Sequence, residues 1–531
     1  MTRIVPAPQP PSEQQPPQVN RWLVTVAVTV GTLMGAIDAS IVNVAIPYIR
    51  ANLGATITEI TWISTGYIIS LVIVMPLTAW LGATFGRKRV YMTCLGLFIT
   101  ASFFCGHAHT LMELVIFRCL QGFGAGALQP TEQAILRETF PPKEQGLAMG
   151  LYGFAVMIGP AIGPTLGGWI TDNYNWPWIF YINLPIGIIG LWMVSQFVHD
   201  PPHAKARRSE AGVDAVGIIA LAVGLGCMQA VLEEGETNDW FNSNFIVILT
   251  VLAVVGLAVF AWWEVCRAPK PAVDLTILRK ATFTTGTLIG GILGVSLFAS
   301  LFLLPLFMQE LLGYPAMTSG LVMMPRALVM LTLLPISGML YNRLGPRVMI
   351  GGGLCIAGMG AIMMSRFTLD TGSVQFFWPQ VTQGVGFAFI FVALSTASLM
   401  GIEKARMTSA TGLFNLIRQL GASVGTATFA TLLSRGQQGI HAVLVKHINP
   451  YSVAYSIEFN RIQQGLMLEG INSWDARNKT LAILDGIISQ QAGVLAFERC
   501  FYIIGMLFIV CVPLVFFFKK SPTQGHHPME H

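Results

Sequence analysis

The chain has 531 residues, 53% of them apolar and only 11% charged, with a mean hydropathy of +0.63 and a net charge of +5. So few charges cannot cover a soluble surface, so the chain belongs to the membrane class. Most Lys and Arg fall in short loops between apolar runs, where topology explains them, and nothing marks a nucleic-acid-binding face.

Residues 1–20 hold Pro6, Pro8, Pro10, Pro11, Pro16 and Pro17 among Gln and Ser. That composition cannot bury a core and lacks the apolar run of a signal peptide, so a disordered tail is expected, followed by a retained first span from Trp22. A hydrocarbon layer about 30 Å thick needs about 20 apolar helical residues. Fourteen such runs are predicted, near 22–47, 59–81, 90–106, 111–136, 146–170, 178–198, 213–232, 245–263, 282–308, 317–340, 348–365, 376–400, 408–433 and 497–518.

Cytoplasmic termini put Arg87, Lys88 and Arg89, then Lys205, Arg207 and Arg208, then Arg267, Lys270, Arg279 and Lys280, then Arg343 and Arg347 in cytoplasmic loops. The opposite 233–243 loop carries Glu233, Glu234, Glu236 and Asp239 and no Lys or Arg, as the positive-inside rule expects. One outer segment is long and polar, 434–496, and its recurring apolar residues, such as Ile440, Val443 and Leu444, predict short amphipathic helices.

Leu81-x4-Gly86-Arg87-Lys88 after the second span recurs as Leu340-x4-Gly345-Pro346-Arg347 after the tenth. This weak repeat predicts an N-terminal six-helix bundle over 21–198 and a C-terminal one over 282–518 that includes the 434–496 loop. The linker 199–281 then contributes two inserted helices, and 519–531 is a second cytoplasmic tail.

Ionisable residues at membrane depth are functional candidates by default. Asp38 and Arg118 fall at one depth, roughly 10–14 Å below the outer surface at about 1.5 Å per residue. They form either a proton-coupling pair or a static strut between helices. Glu132, near the cytoplasmic end of the fourth span, is either a proton or cation site, an interfacial carboxylate or the cap of a neighbouring helix freed by Pro130. Arg326 and Arg418 are either contacts for an anionic substrate or snorkelling or helix-capping side chains. Met323 and Met324 lie in a methionine-rich stretch suited to lining an adaptable cavity, or to plain core filling. In the fifth span, Gly159, Gly163 and Gly167 recur every four residues, with Pro160, Pro164 and Gly168 among them. They make a bare stripe for close helix packing, and the prolines add a bend suited to a rocking bundle interface.

The eight cysteines show no Cys-x2-Cys spacing, so neither a disulfide framework nor a metal site is expected. A nucleotide-driven pump would need Gly-x4-Gly-Lys-[Ser/Thr], and a hydrolase His-Glu-x2-His or Gly-x-Ser-x-Gly. Neither of the first two occurs, and the one Gly-x-Ser-x-Gly match, Gly421 to Gly425, falls inside the predicted span 408–433 rather than on a strand-to-helix turn, which argues against a pump of that kind and against an enzyme.

The run Ile37-Asp38-Ala39-Ser40-Ile41-Val42-Asn43-Val44-Ala45-Ile46-Pro47 resembles the first-span signature of the fourteen-span drug:proton antiporters, within them the EmrB/QacA group. Arg118-Cys119-Leu120-Gln121-Gly122-Phe123-Gly124 resembles that group's fourth-span motif, and Gly153 to Gly168 its antiporter motif. Trp178 to Gly187 is similar to the opening of its sixth span. The loop after span two departs from the facilitator pattern, with Ala83 where an Asp is usual.

The resemblance implies an all-α major facilitator fold that exports lipophilic compounds across a bacterial inner membrane in exchange for protons, with no cofactor but the gradient. The group's fourth-span motif carries a proton-linked Arg, here Arg118, and with the depth argument this makes Asp38, Arg118 and Glu132 the expected proton-coupling residues. The long outer loop, like that of the EmrB branch, implies a periplasmic membrane-fusion protein and an outer-membrane channel as partners. An exporter or importer of one specific metabolite on the same fold is the alternative.

Overall fold

A computed structural model describes residues 20–199, 214–268, 272–449 and 451–518. The expected tails at 1–19 and 519–531 and the basic residues Lys205, Arg207, Arg208 and Lys270 lie outside these.

The described residues are helical, with no strand among them. α1 spans Arg21–Leu53. It starts where the Asn20 side chain accepts from the Trp22 amide and stops at Gly54, whose φ of 64° closes the helix in the left-handed region. α2 (Trp62–Phe85), α3 (Arg87–Gly106), α4 (Leu111–Gly126), α5 (Leu128–Thr139), α6 (Gln145–Asn173) and α7 (Asn183–Phe197) follow. The run expected as a fourth span is one membrane-spanning stretch, Leu111–Thr139, with an irregular turn at Ala127 between α4 and α5. Pro130 is the cause, since it offers no N–H to the Gly126 carbonyl and its ring crowds that turn.

α8 (Ala215–Glu234) and α9 (Asn244–Cys266) form a hairpin. After it come α10 (Ala281–Leu306), α11 (Ala316–Met364), α12 (Phe377–Ser398), α13 (Met407–His447), α14 (Val453–Leu468) and α15 (Ser473–Cys511). Gly86, between α2 and α3, has φ 89°, and Gly345, at a kink inside α11, has φ 74°. Both sit at the same place in the repeated Leu-x4-Gly motif, where only glycine turns the chain without strain.

Eleven helices among the described residues are long and apolar enough to cross a membrane by length and composition. One of them, Met317–Met364, contains two of the predicted spans joined through Gly345. α6 counts only as a shorter apolar helix, Gln145–Gly159, and α13, with Asn415, Arg418 and Gln419 in its apolar part, is not among the eleven.

α1–α7 pack on one another, and α10–α13 pack with α15. The two groups meet mainly through α6 against α11 and α13 against α2 and α5. These contacts gather toward the end that carries Arg87 and Arg347, here called the basic end. A Cβ on Gly146 would lie 2.5 Å from the Gly338 carbonyl oxygen, and one on Gly150 2.6 Å from that of Leu334, so α6 and α11 touch backbone to backbone. Polar side chains complete the seam. Thr411 donates to the Pro130 carbonyl (2.9 Å), Asn415 to Gln133 (2.7 Å), Tyr152 to Asn415 (3.0 Å), Arg137 to the Thr396 carbonyl (2.9 Å) and Asn342 to the Lys143 carbonyl (2.6 Å).

The hairpin rests on both groups. α8 packs on α2 and α13, where Glu234 accepts from Thr61 and Thr65 and Gln229 donates to Ser423. α9 turns an apolar face outward, including Ile248, Val251, Val254, Val255 and Val259, as a lipid-facing helix does.

The 434–496 region differs from the expected loop with short helices. α13 and α15 simply continue through it, so only α14 is a separate short helix, packed on α15. No helix breaker interrupts α13 until Asn449-Pro450, and His441 meets Asp485 across the pair at 2.9 Å.

Candidate functional site

The first buried cluster lies within the N-terminal group. α1 brings in Asp38 and α4 brings in Arg118, both fully buried, with Arg118 Nη1 2.6 Å from Asp38 Oδ2. The other carboxylate oxygen accepts from Gln121 Nε2 (2.9 Å) and Asn183 Nδ2 (2.8 Å). Arg118 also donates to Gln121 Oε1 (2.6 Å) and to the Ile63 carbonyl (3.3 Å), and its guanidinium lies over the Tyr67 ring, 4.2 Å from the centroid. Asn183 reaches Ser102, which donates to the Phe180 carbonyl. The charges are thus neutralised internally, and every member of the cluster has a partner. The shared depth read from the sequence is a direct ion pair. Gln121, Asn183 and Ser102 escaped sequence reasoning, because a neutral side chain in an apolar helix gives no cost signal like that of a charge.

Glu132 on α5 is fully buried and does not reach an interface. Its Oε1 accepts from Thr29 of α1 at 2.9 Å, and its Oε2 has no hydrogen-bond partner. Thr29 and Asp38 are nine residues apart on α1, so the two carboxylates stand about 13 Å apart along the helix.

The second cluster lies in the C-terminal group. Arg326 on α11 is only 4% exposed, so it does not snorkel. Its Nη1 donates to Ser300 of α10 (3.2 Å) and to Gln383 of α12 (3.3 Å), and no carboxylate pairs with it among the described residues. Together with Met323, Met324 and Met330 it lines a narrow cleft that opens between α6 and α10–α11, with Met157 and Thr165 on the facing side. Arg418 lies elsewhere, at the seam, donating to Gln129 of α5 (2.9 Å) and to Asn415 (3.1 Å) with its guanidinium near Phe391.

The Gly159, Gly163 and Gly167 stripe is a close contact, but against α1 within the N-terminal group rather than between the groups. Added Cβ atoms would sit 2.3 Å from the Ala36 backbone, 2.6 Å from the Ser40 side chain and 2.8 Å from the Ile41 side chain, respectively. The contact with the C-terminal group uses Gly146 and Gly150, one or more turns nearer the basic end of α6. Gly168 faces open space, and Pro160 and Pro164 lie in the helical backbone between the stripe glycines. Ala83 lies in the last turn of α2, and just beyond it Arg87 pairs with Glu138 at 2.5 Å and also reaches the Lys404 carbonyl.

A fold of two related helix groups with buried ions at their cores is a secondary-transporter architecture. The sequence profile of the Major Facilitator Superfamily matches residues 28–426, and the chain belongs to that family. It is 33% identical over 502 residues to the fatty acid resistance protein FarB of Neisseria gonorrhoeae, covering 94% of this chain and 97% of FarB. It is 32% identical over 519 residues to the multidrug export protein EmrB of Escherichia coli K12, covering 97% and 98%. Among solved structures, the human organic anion transporter MFSD10 superposes with a TM-score of 0.60 over 94% of this chain and 100% of its own, at 13% identity, which speaks to the fold alone.

Proposed function

We propose that the chain exports lipophilic compounds across a bacterial inner membrane in exchange for protons, and that Asp38 carries the proton. In this reading it crosses fourteen times, as two six-helix bundles (21–198 and 282–518) with the α8–α9 hairpin inserted, and both termini and the basic end are cytoplasmic. Similarity to an EmrB multidrug exporter and to a fatty acid resistance protein supports a lipophilic cargo.

The observation that carries the reading is the set of groups around Asp38. Its two oxygens accept from Arg118, Gln121 and Asn183, which here all act as donors. A protonated Asp38 becomes a donor at one oxygen and faces a donor there, so at least one of those bonds must be given up. The bonds tie α1 to α4 and α7, so protonation loosens one helix from two others. Conversely, anything that moves Arg118 away leaves a buried carboxylate that must gain a proton or water. This reciprocity is what coupling requires. Glu132, with no cation and an orphan oxygen beside Thr32, is a second proton or cationic-substrate site on the same helix unit. Closure at the basic end and a cleft at the other describe an outward-open member of an alternating cycle.

The helical extension at 434–496 is a docking element for a periplasmic membrane-fusion protein leading to an outer-membrane channel. It leaves Val443, Val453, Ile457, Leu468 and Trp474 exposed, an apolar surface that the rest of the chain does not cover. Accumulation of a lipophilic dye in everted vesicles tests the transport reading. Uptake that collapses when the proton gradient is dissipated is expected, and uptake indifferent to the gradient contradicts it.

A further inference from the structure

The two buried clusters are the same site built twice, with one component missing from the second. Arg118-x2-Gln121-Gly122-x-Gly124 on α4 recurs on α12 as Gln380-x2-Gln383-Gly384-x-Gly386, 262 residues on. The glycines have the same duty in both. A Cβ on Gly122 would strike the Tyr67 carbonyl oxygen, and one on Gly384 that of Arg326. A Cβ on Gly124 would strike the Cys94 carbonyl oxygen, and one on Gly386 that of Gly353. Tyr67 and Arg326, and Cys94 and Gly353, are each 259 residues apart. Ser300 bonds Gln383 at 3.1 Å as Asp38 bonds Gln121, and stands 262 residues after it.

Matched position by position, the C-terminal site has Ser300 in place of Asp38 and Gln380 in place of Arg118, and it draws its cation from Arg326, at the place of Tyr67. It therefore keeps a buried guanidinium and has lost the carboxylate that neutralises it. The donors that such an anion would use are also left over. The amides Gln383 Nε2 and Gln380 Nε2 are buried without hydrogen-bond partners, as is the Ser296 hydroxyl one turn from Ser300. Unsatisfied polar atoms at this density around a lone buried cation are costly unless something binds there. In the N-terminal cluster no member is unsatisfied.

We propose that the Arg326 cluster is a recognition site for the carboxylate of an amphipathic anion, which takes the place that Asp38 fills in the other half. Arg326 and the Gln380 and Gln383 amides hold the head group. The tail lies in the adjoining cleft, where Met323, Met324, Met330 and Met157 offer a polarizable surface that adapts to chain shape. This inference rests on the exporter reading for its biological direction, not for the site itself.

The test is equilibrium binding of radiolabelled dodecanoate to the full chain in phosphatidylcholine nanodiscs, with empty discs subtracted and neutral dodecanol as the control ligand. Arg326→Gln is expected to weaken dodecanoate about tenfold or more while changing dodecanol less than about twofold, and Arg326→Lys to retain most of the affinity. Gln383→Glu places a carboxylate where Arg326 already donates. It should keep the fold, since it completes the ion pair, and should exclude dodecanoate as strongly as Arg326→Gln does. Equal effects on dodecanoate and dodecanol in both charge variants would overturn the proposal. So would loss of dodecanoate binding on adding phosphatidylglycerol to the discs, which would make the site one for bilayer lipid. A chain that binds dodecanoate in this way but moves no compound on a proton gradient would sink the exporter reading and leave the anion site standing.

Discussion

Around Asp38 and around Arg326, corresponding helices meet with the same glycine contacts and the same glutamine, yet one cluster is closed and the other incomplete. The N-terminal cluster holds its own counter-ion and all its hydrogen bonds, and it lies away from the cleft. The C-terminal cluster holds a cation alone and borders the cleft. A repeated fold can thus divide labour by moving one charge. A cation paired inside the protein responds to a proton, whereas a cation left unpaired beside a cavity responds to a ligand.

The largest expected effect is that of Asp38→Asn, which removes the titratable group while keeping an amide of the same shape. Proton-driven dye uptake in everted vesicles should fall by about a hundredfold or more at unchanged protein level. Ser300→Asp makes the converse change by giving the C-terminal cluster the acid that its counterpart has. Transport of carboxylate amphiphiles should drop about tenfold and that of cationic dyes by less than about twofold, read from competition assays in the same vesicles.

Packing gives the next contrast. Gly163→Leu drives a side chain into Ser40 of α1, two residues from Asp38, and should destabilise the purified protein by about 1–3 kcal/mol in a thermal unfolding assay. Gly168→Leu, with nothing within 4 Å, should shift it by no more than about 0.5 kcal/mol. Glu132→Gln is expected to be milder, lowering uptake of cationic dyes a few-fold more than that of neutral ones. Equal losses would make Glu132 a structural residue. The smallest effect on transport itself is expected from replacing 440–490 with a Gly-Ser linker. Vesicle uptake should be spared while cellular drug resistance and co-purification of a fusion protein are lost, and retained resistance would point to a self-packed lid.

Much of the fold was legible because apolar runs of spanning length and their charged separators record the membrane directly. Asp38 and Arg118 were legible for the same reason, as charges stand out against such runs. Three features were not. Pro130 makes the fourth span irregular at Ala127, and a proline in an apolar stretch does not say where the turn is disturbed. The Gly159 stripe marked a close helix contact correctly, but periodicity does not say which neighbour lies opposite, and it is α1 rather than the other half. The continuation of α13 and α15 through 434–496 was hidden because polar helix and polar loop differ little in composition. The incomplete second cluster could have been read from the repeat of Gln-Gly-x-Gly at Gln121 and Gln383, whose spacing nearly equals that of the Leu-x4-Gly motif.

The most direct test of proton coupling at Asp38 is substrate-driven proton movement in proteoliposomes with no imposed gradient. Adding a lipophilic substrate to the wild-type chain should drive a counterflow of protons, seen by an enclosed pH dye. Asp38→Asn should bind the substrate with similar affinity and move no protons. Proton counterflow at the wild-type rate in Asp38→Asn would contradict the account and place the coupling elsewhere in the molecule.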